Sequence, residues 1–297
     1  MIRHVVINDT DPEMGHEIHS EKRKEMNVWM VPLLNAIPVW LRWPIQKTHP
    51  AANIFVKDAM TYRALEVAYT GGVDHPSRSA LERFFYTVWF ETANVLAVRN
   101  RLRLVKRELR TALKDAFLRQ EKVRLLSIAA GSARAVIEAV AETGNAKNKN
   151  LSLVFLDKDR TALEYSTILV KKFGIECPVE WTDVTLGTYL KNSKGVNTFD
   201  IVEMVGLLDY FDNERAVEIF NRIYDVLNPA GKYITGNIIA HAEKPLLTRF
   251  AGWNVIYREP EEFLSLLTRS HFGKHTILVY VEPHRIHAIS VAEKPDA

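Results

Sequence analysis

The apolar positions of this 297-residue chain change rhythm near residue 120. Upstream the spacing is helical. Across residues 77–91, Leu81, Phe84, Phe85, Val88 and Trp89 recur at helical intervals behind a capping hydroxyl on Ser77 or Ser79. That spacing predicts an amphipathic helix with one buried face. A second helix is predicted over 92–118, and Gly71-Gly72 with Pro76 marks a loop. Downstream, short apolar runs alternate with helical stretches. Strands are predicted over 123–129, 151–157, 179–182, 199–204 and 232–237, with helices over 132–142, 160–173, 184–191 and 213–227. The last helix stops at Asn228-Pro229-Ala230-Gly231. Such alternation predicts an α/β unit: a parallel sheet with helices on both faces and right-handed crossovers. After one more helix, 260–270, residues 275–293 read as two strands around Glu282-Pro283-His284-Arg285, a hairpin signal. The chain thus divides into a helical lid or substrate region, 1–120, and an α/β domain, 121–297.

Composition adds exclusions. A net charge of +3 gives no argument for nucleic acid, and the basic run RNRLRLVKRELR (99–110) reads as one solvated helix face. Cys177 is the single cysteine, so neither an internal disulfide nor a thiolate zinc site can form. The polar start is unlike a secretory signal, and a cytoplasmic setting is expected. Residues 28–45 are largely apolar, but Pro32, Asn35, Pro38, Arg42 and Pro44 interrupt them. A segment that packs on the domain or lines a pocket is expected there, with a membrane-surface role as the alternative, and not an integral membrane span. Trp29, Trp40 and Trp43 suit an apolar acceptor, plain packing or a homodimer contact equally. His16 and His19 have ligand spacing without further ligands, so no metal centre is expected.

The chemistry concentrates where the first predicted strand meets its helix. Residues 123–135 read VRLLSIAAGSARA: the apolar run stops at Ala129-Ala130-Gly131, and a helical pattern begins at Ser132. Further on, LSLVFLD stops on Asp157. A strand, a turn of small residues, a helix and a strand ending in an acid suit a nucleoside-type cofactor. The small residues let the ligand approach the backbone, and the acid accepts hydrogen bonds from ribose hydroxyls. A dinucleotide would want three glycines around its pyrophosphate, and only one stands here. No G-K-[ST] follows, which excludes a Walker phosphate loop. A ligand without phosphates, such as S-adenosylmethionine, needs less of the turn.

These residues resemble the class I S-adenosylmethionine-dependent methyltransferases from about Glu121 to the C-terminus. LLSIAAGSARA is similar to the family's first motif, FLDKD to its second and EWTDV to its third. FDIVEMVGLLDYF, with the helix ending in LNPAGKYITGN, is similar to its fourth and fifth. The resemblance implies a Rossmann-like methyltransferase fold: a mostly parallel seven-stranded sheet with a terminal antiparallel hairpin, under the N-terminal helical lid. It implies S-adenosyl-L-methionine as cofactor, bound by Ala129, Ala130, Gly131, Ser132, Asp157, Lys158, Asp183, Val184, Glu203, Met204 and Asp209. Asp157 would meet the ribose, Asp183 the adenine amino group and Glu203 the ammonium group. Alanines replace two of the usual glycines, and alanine restricts φ, so the turn is expected to avoid left-handed geometry at those positions. More narrowly, VGLLDYF, YITGN and GWNVIYREPEEF are similar to a bacterial group that includes 3-hydroxy fatty acid methyl ester synthases. That similarity implies O-methylation of a carboxylate on a small acid.

Methyl transfer from a sulfonium is an in-line displacement in which the protein supplies proximity, orientation and field. A carboxylate acceptor needs no base, whereas a hydroxyl or amine acceptor does. Candidate catalytic residues are Tyr210, His241 and Arg258. Tyr210 either orients the substrate or packs. His241 is either a base or a surface residue. Arg258 either clamps an acceptor carboxylate or pairs with Glu261 or Glu262. Of Arg99, Arg101 and Arg103, at most one or two can point inward, because positions two apart diverge on a helix. Three readings stand: an enzyme methylating a small molecule, an N- or O-methyltransferase with a His or Tyr base, and a methyltransferase-like binding module without activity.

Overall fold

Each apolar run of the second region forms a strand in the computed structural model, which describes residues 3–41, 47–192 and 199–296. In chain order the strands are β1 (His4–Asn8), β2 (Val123–Ile128), β3 (Leu151–Leu156), β4 (Val179–Thr182), β5 (Phe199–Met204), β6 (Leu227–Ile238), β7 (Ile277–Val281) and β8 (His287–Glu293). The principal helices are α1 (Glu21–Ala36), α2 (Pro50–Lys57), α3 (Tyr62–Thr70), α4 (Ala80–Phe90), α5 (Ala93–Arg119), α6 (Arg134–Glu142), α7 (Arg160–Lys172), α8 (Leu186–Asn192), α9 (Asn213–Val226) and α10 (Pro260–Thr268).

The strands form one sheet in the order β1-β7-β8-β6-β5-β2-β3-β4. β8 runs antiparallel between β6 and β7, and the other pairings are parallel. The fold is therefore Rossmann-like, with the expected terminal hairpin. The sequence pattern predicts seven strands, and the described sheet has an eighth, β1, paired in parallel with β7 from Val5↔Leu278 to Asn8↔Val281. HVVIN is short and its side chains stay largely exposed, so it carries no alternation to read. Only an edge some 270 residues away makes it a strand.

The boundary predicted near residue 120 is not a break in packing. The carboxyl-terminal half of α5 (Leu104, Leu109, Leu113, Ala116) joins β2, β3, α6 and α7 in one core on one face of the sheet. Its amino-terminal end (Val95, Val98) joins α2, α3 and Phe90 in the core of the helical layer. The opposite face is covered by α9 and α10 through Ile219, Phe220, Ile223 and Phe263. One helix thus belongs to both the sheet and its cap. Thr92 Oγ1 and the Glu243 carboxylate fix where it begins: Glu243 accepts from the amides of Ala93 and Asn94, each at 2.9 Å.

Two sequence expectations about burial are corrected. In α4, Leu81 and Phe84 face outward, and Phe90 is the buried residue. In the segment from residue 28, Val28, Trp29, Leu33 and Trp40 are exposed and line none of the cavities described below, while Val31 alone of α1 is buried. Arg42, Trp43, Pro44 and Ile45 lie outside the described residues. No helix of the described residues is long and apolar enough to cross a membrane.

Candidate active site

β2 is where the strand order reverses: β3 lies on one side of it and β5 on the other. A parallel sheet leaves a crevice at such a point, beyond the carboxyl ends of its strands. A cavity of about 660 Å³ occupies it, lined from the sheet side by Ala129, Gly131, Asp157, Lys158, Asp209 and Tyr210. A smaller one of about 70 Å³ adjoins it, lined by Ala129, Ala130, Gly131, Ser132, Glu203 and Arg101. Sequence-predicted positions from Ala129 to Tyr210 therefore converge on one site.

The turn after β2 is held from three directions. The Ala130 amide donates to the Leu156 carbonyl at 3.0 Å, and the Gly131 amide to Asp157 Oδ2 at 2.8 Å. Ser166 Oγ donates to the Gly131 carbonyl at 2.9 Å. So held, Ala129 (φ 51°), Gly131 (φ 53°) and Ala133 (φ 51°) all adopt left-handed geometry. This corrects the expectation that alanine keeps the turn out of that region. The cost is about 1–2 kcal/mol for each alanine, and the surrounding hydrogen bonds impose it.

Asp157 also accepts from the Asp159 amide at 2.8 Å. It is not the cap of α7; Asp159 is, accepting from the Thr161 amide at 2.9 Å. An ionised carboxylate has about four acceptor sites, so Asp157 keeps capacity for ribose hydroxyls after its two backbone bonds. Glu203 is buried at the end of β5. Ser127 Oγ donates to it at 2.6 Å and the Val205 amide at 3.0 Å. Burial pushes its pKa up to about 7. Both donors are neutral, so among the described residues its charge has no cation in contact, the complement of an ammonium group. Asp209 is likewise buried and pushed up to about 6; its side chain accepts from the Ile238 amide at 2.9 Å.

Of the arginines 99, 101 and 103, the two outer ones bind Glu17 at 2.7 and 2.6 Å, on the far side of α5. Arg101 points inward alone. It is 6% exposed and borders both cavities. Its Nη2 donates to Tyr69 Oη at 3.1 Å, and its Nε has no partner among the described residues. Burial opposes its charge, but Tyr69, Asp209 and Glu203 outweigh that and hold its pKa above the ordinary value. No described carboxylate lies within ion-pairing distance of it. Gly206, at φ 89°, passes close: a Cβ there would stand 3.9 Å from Arg101 Nη1.

Not every predicted site residue reaches the cavity. The Met204 side chain is wholly buried in the core. Asp183 is exposed just beyond β4, and neither it nor Val184 lines either of these two cavities. Arg258 is no free clamp. Buried to 1% exposure, it donates to Asn213 Oδ1 at 2.9 Å, to Asn237 Oδ1 at 2.7 Å and to the Phe211 carbonyl, stitching the loop after β5 to β6. Its donors face protein, and neither Glu261 nor Glu262 pairs with it. Tyr210 does line the cavity, accepting from Trp253 Nε1 at 3.0 Å. His241 stands behind Tyr257 with ring centroids 6.0 Å apart, and does not line the cavity.

The sequence reading missed several walls. Tyr62, Leu65 and Asn94 come from the helical layer, and Trp253, Tyr257 and His287 from the C-terminal third. Trp253 and Tyr257 fall in the stretch GWNVIYREPEEF, where the sequence pointed to Arg258 instead, and the other four belong to no motif. Tyr257 Oη, His287 Nε2 and both nitrogens of His241 are buried without partners among the described residues. Burial holds His287 well below the ordinary imidazole range; burial and Lys244 hold His241 down to about 4. Both rings are therefore neutral near pH 7.

This donor set fits an amino-acid nucleoside: a carboxylate for ribose, a buried acid for an ammonium group, and a turn of small residues beside both. A family model described as "Putative methyltransferase" matches residues 74–294. No curated protein matches the chain. A solved structure from Bordetella parapertussis, described as a possible exported protein, is 16% identical with a TM-score of 0.64, over 97% of this chain and 100% of that one. The S-adenosylmethionine-dependent methyltransferase SibL is 15% identical with a TM-score of 0.49, over 85% of this chain and 74% of that one. At these identities the likenesses concern the fold, whereas the family model spans most of the chain, from the helical layer to β8. The chain belongs to this methyltransferase family, within the class I enzymes whose cofactor is S-adenosylmethionine.

Proposed function

We propose that the chain methylates a small molecule held in the larger cavity, and that the group methylated is a carboxylate. The observation that carries the reading is Arg101: a buried cation on the cavity wall with a free Nε and no carboxylate from the described protein. A buried charge requires a counter-ion, and an acidic acceptor supplies one. Tyr257 Oη and His287 Nε2 line the same cavity and can complete its hydrogen bonding. Arg101 takes the place that the sequence assigned to Arg258.

When bound, the cofactor supplies an electrophilic methyl group on a sulfonium. The chain's part is binding and alignment. Asp157 and Glu203 hold the cofactor's two ends, and the turn 129–133 lies between them. Arg101 orients the acceptor, and Val98, Ile238 and Leu247 exclude water from the rest of the cavity. A carboxylate is anionic near neutral pH, so no side chain need remove a proton. The same proposal places the protein in a reducing cytoplasm, where the buried thiol of Cys177, pushed up to about 11 by burial, stays inert.

Because the cofactor also carries a carboxylate, the test separates two sources. Arg101→Gln should raise the KM for acidic acceptors roughly ten- to hundredfold, the worth of a charge-assisted hydrogen bond. Its effect on S-adenosylhomocysteine affinity, read by calorimetry, should stay within about threefold. The opposite pattern would assign Arg101 to the cofactor and remove the carboxylate reading. A second reading, a hydroxyl or amine acceptor deprotonated by a base, draws on the neutral imidazoles of His287 and His241. It requires His287→Asn or His241→Asn to abolish turnover while S-adenosylhomocysteine still binds, whereas a carboxylate acceptor leaves kcat within about tenfold of wild type in both variants.

A further inference from the structure

Helix α3 belongs to none of the sequence motifs, yet it stands against the cofactor turn. Tyr62, Leu65 and Tyr69 occupy one face of it, at i, i+3 and i+7, and all three line the smaller cavity. The approach is close: a Cβ on Gly131 would meet Tyr62 Cβ at 3.6 Å. The Tyr62 ring leans on Tyr165, with centroids 5.3 Å apart and planes at 38°.

One ion pair ties this helix down. Arg134 Nε donates to the two oxygens of Glu66 at 2.9 and 3.2 Å, and its Nη2 donates to Oε2 at 2.5 Å. Tyr165 Oη adds a third donor at 3.1 Å. The Arg134 and Glu66 side chains are 10% and 8% exposed. Arg134 is the first residue of α6, directly after the turn, and Glu66 lies one turn along α3 from Tyr62. At the far end of α3, Tyr69 Oη accepts from Arg101. The one buried carboxylate of α3, at the middle of the helix, therefore reaches the residue that begins the cofactor helix.

We propose that α3 is the roof of the cofactor site, that Tyr62 contacts the bound cofactor, and that the Glu66–Arg134 pair positions this roof on the turn. Cofactor affinity then depends on the helical layer as well as on the strand-end motifs. The inference rests on the assignment of S-adenosylmethionine to the turn at 129–133. Tyr62 is a binding residue, and Glu66 and Arg134 are positioning residues.

The test is S-adenosylhomocysteine binding to the full chain, with affinity from calorimetry and release rate from stopped-flow dilution. Glu66→Gln should speed release and weaken affinity about tenfold, with the acceptor KM unchanged. Tyr62→Ala should weaken binding by a similar factor, and Tyr62→Phe should bind as the wild type. Should Glu66→Gln fail to fold by circular dichroism, the two Tyr62 variants decide, since Tyr62 has no part in the ion pair. Affinity and release within twofold of wild type in both Glu66→Gln and Tyr62→Ala overturn the proposal. If Asp157→Ala abolishes binding in that same series, only the roof is overturned. A wild-type chain that binds no S-adenosylhomocysteine overturns the cofactor assignment and the roof together.

Discussion

If Glu203 binds the cofactor as proposed, cofactor affinity depends on pH in a calculable way. Burial raises its pKa from 4.5 to about 7, because its partners, Ser127 and the Val205 amide, are neutral. In the free chain it is ionised to roughly nine-tenths at pH 8 and to about 3% at pH 5.5. If Glu203 holds the cofactor's ammonium group, binding requires the anion and expels the proton at low pH. Affinity for S-adenosylhomocysteine should then fall about 30-fold from pH 8 to pH 5.5, worth about 2 kcal/mol. The sign for folding is opposite. An acid with a raised pKa favours the fold below its ordinary value, and that contribution is lost as pH rises from 4.5 through 7. Keeping the anion buried at pH 8 costs on the order of 3 kcal/mol. Glu203→Gln removes that cost, so the free variant should melt higher than wild type at pH 8 while binding the cofactor more weakly and without the pH slope. Calorimetry in buffers of different ionisation enthalpy should count close to one proton released per site at pH 6. A wild-type affinity flat across this range, or a slope that survives in Glu203→Gln, refutes the argument. Asp209, also pushed up to about 6, would then be the group to replace.

Three further outcomes are expected. Asp157→Ala removes the acceptor for the Gly131 and Asp159 amides and for the ribose it is proposed to hold, so S-adenosylhomocysteine affinity should drop at least about 30-fold by calorimetry; an unchanged affinity would move the ribose site elsewhere. Ala129→Gly relieves left-handed strain of about 1–2 kcal/mol against a smaller gain in unfolded-chain entropy, so the melting temperature should rise by a few degrees. A fall in melting temperature would show that the alanine methyl is held in favourable packing. Arg258→Met should destabilise the fold by about 3 kcal/mol or more in urea unfolding, since Asn213, Asn237 and the Phe211 carbonyl lose their shared donor. A variant of normal stability with a raised acceptor KM would return Arg258 to the site.

Much of the cofactor side was legible because its elements are local. A strand, its turn and its helix lie within 20 residues, so VRLLSIAAGSARA announces itself, and LSLVFLD fixes Asp157 by the same logic. Even there the backbone angles were not legible. Alanine's intrinsic preference predicts right-handed geometry, and the bonds from Leu156, Asp157 and Ser166 override it. The acceptor side was much less legible. Arg101 sits in a basic run that reads as a solvated face, and only its two outer neighbours, bound to Glu17, show which way it must turn. Arg258, placed by a motif near the site, lies instead in the protein behind it. His287 begins an ordinary strand and becomes a cavity wall through the pairing of β8 with β6.

By itself the sequence determined the alternation of strands and helices, the terminal hairpin, the class of cofactor and three of the acids that line the crevice, Asp157, Glu203 and Asp209. Those follow from side-chain period and from residues close together in the chain. Tertiary structure alone decided that β1 completes the sheet, that α5 serves two cores, and that α3 stands over the turn at Ala129–Ser132. Each depends on contacts between segments far apart in sequence, where no local spacing fixes which face of a helix, or which edge of a sheet, will meet its partner.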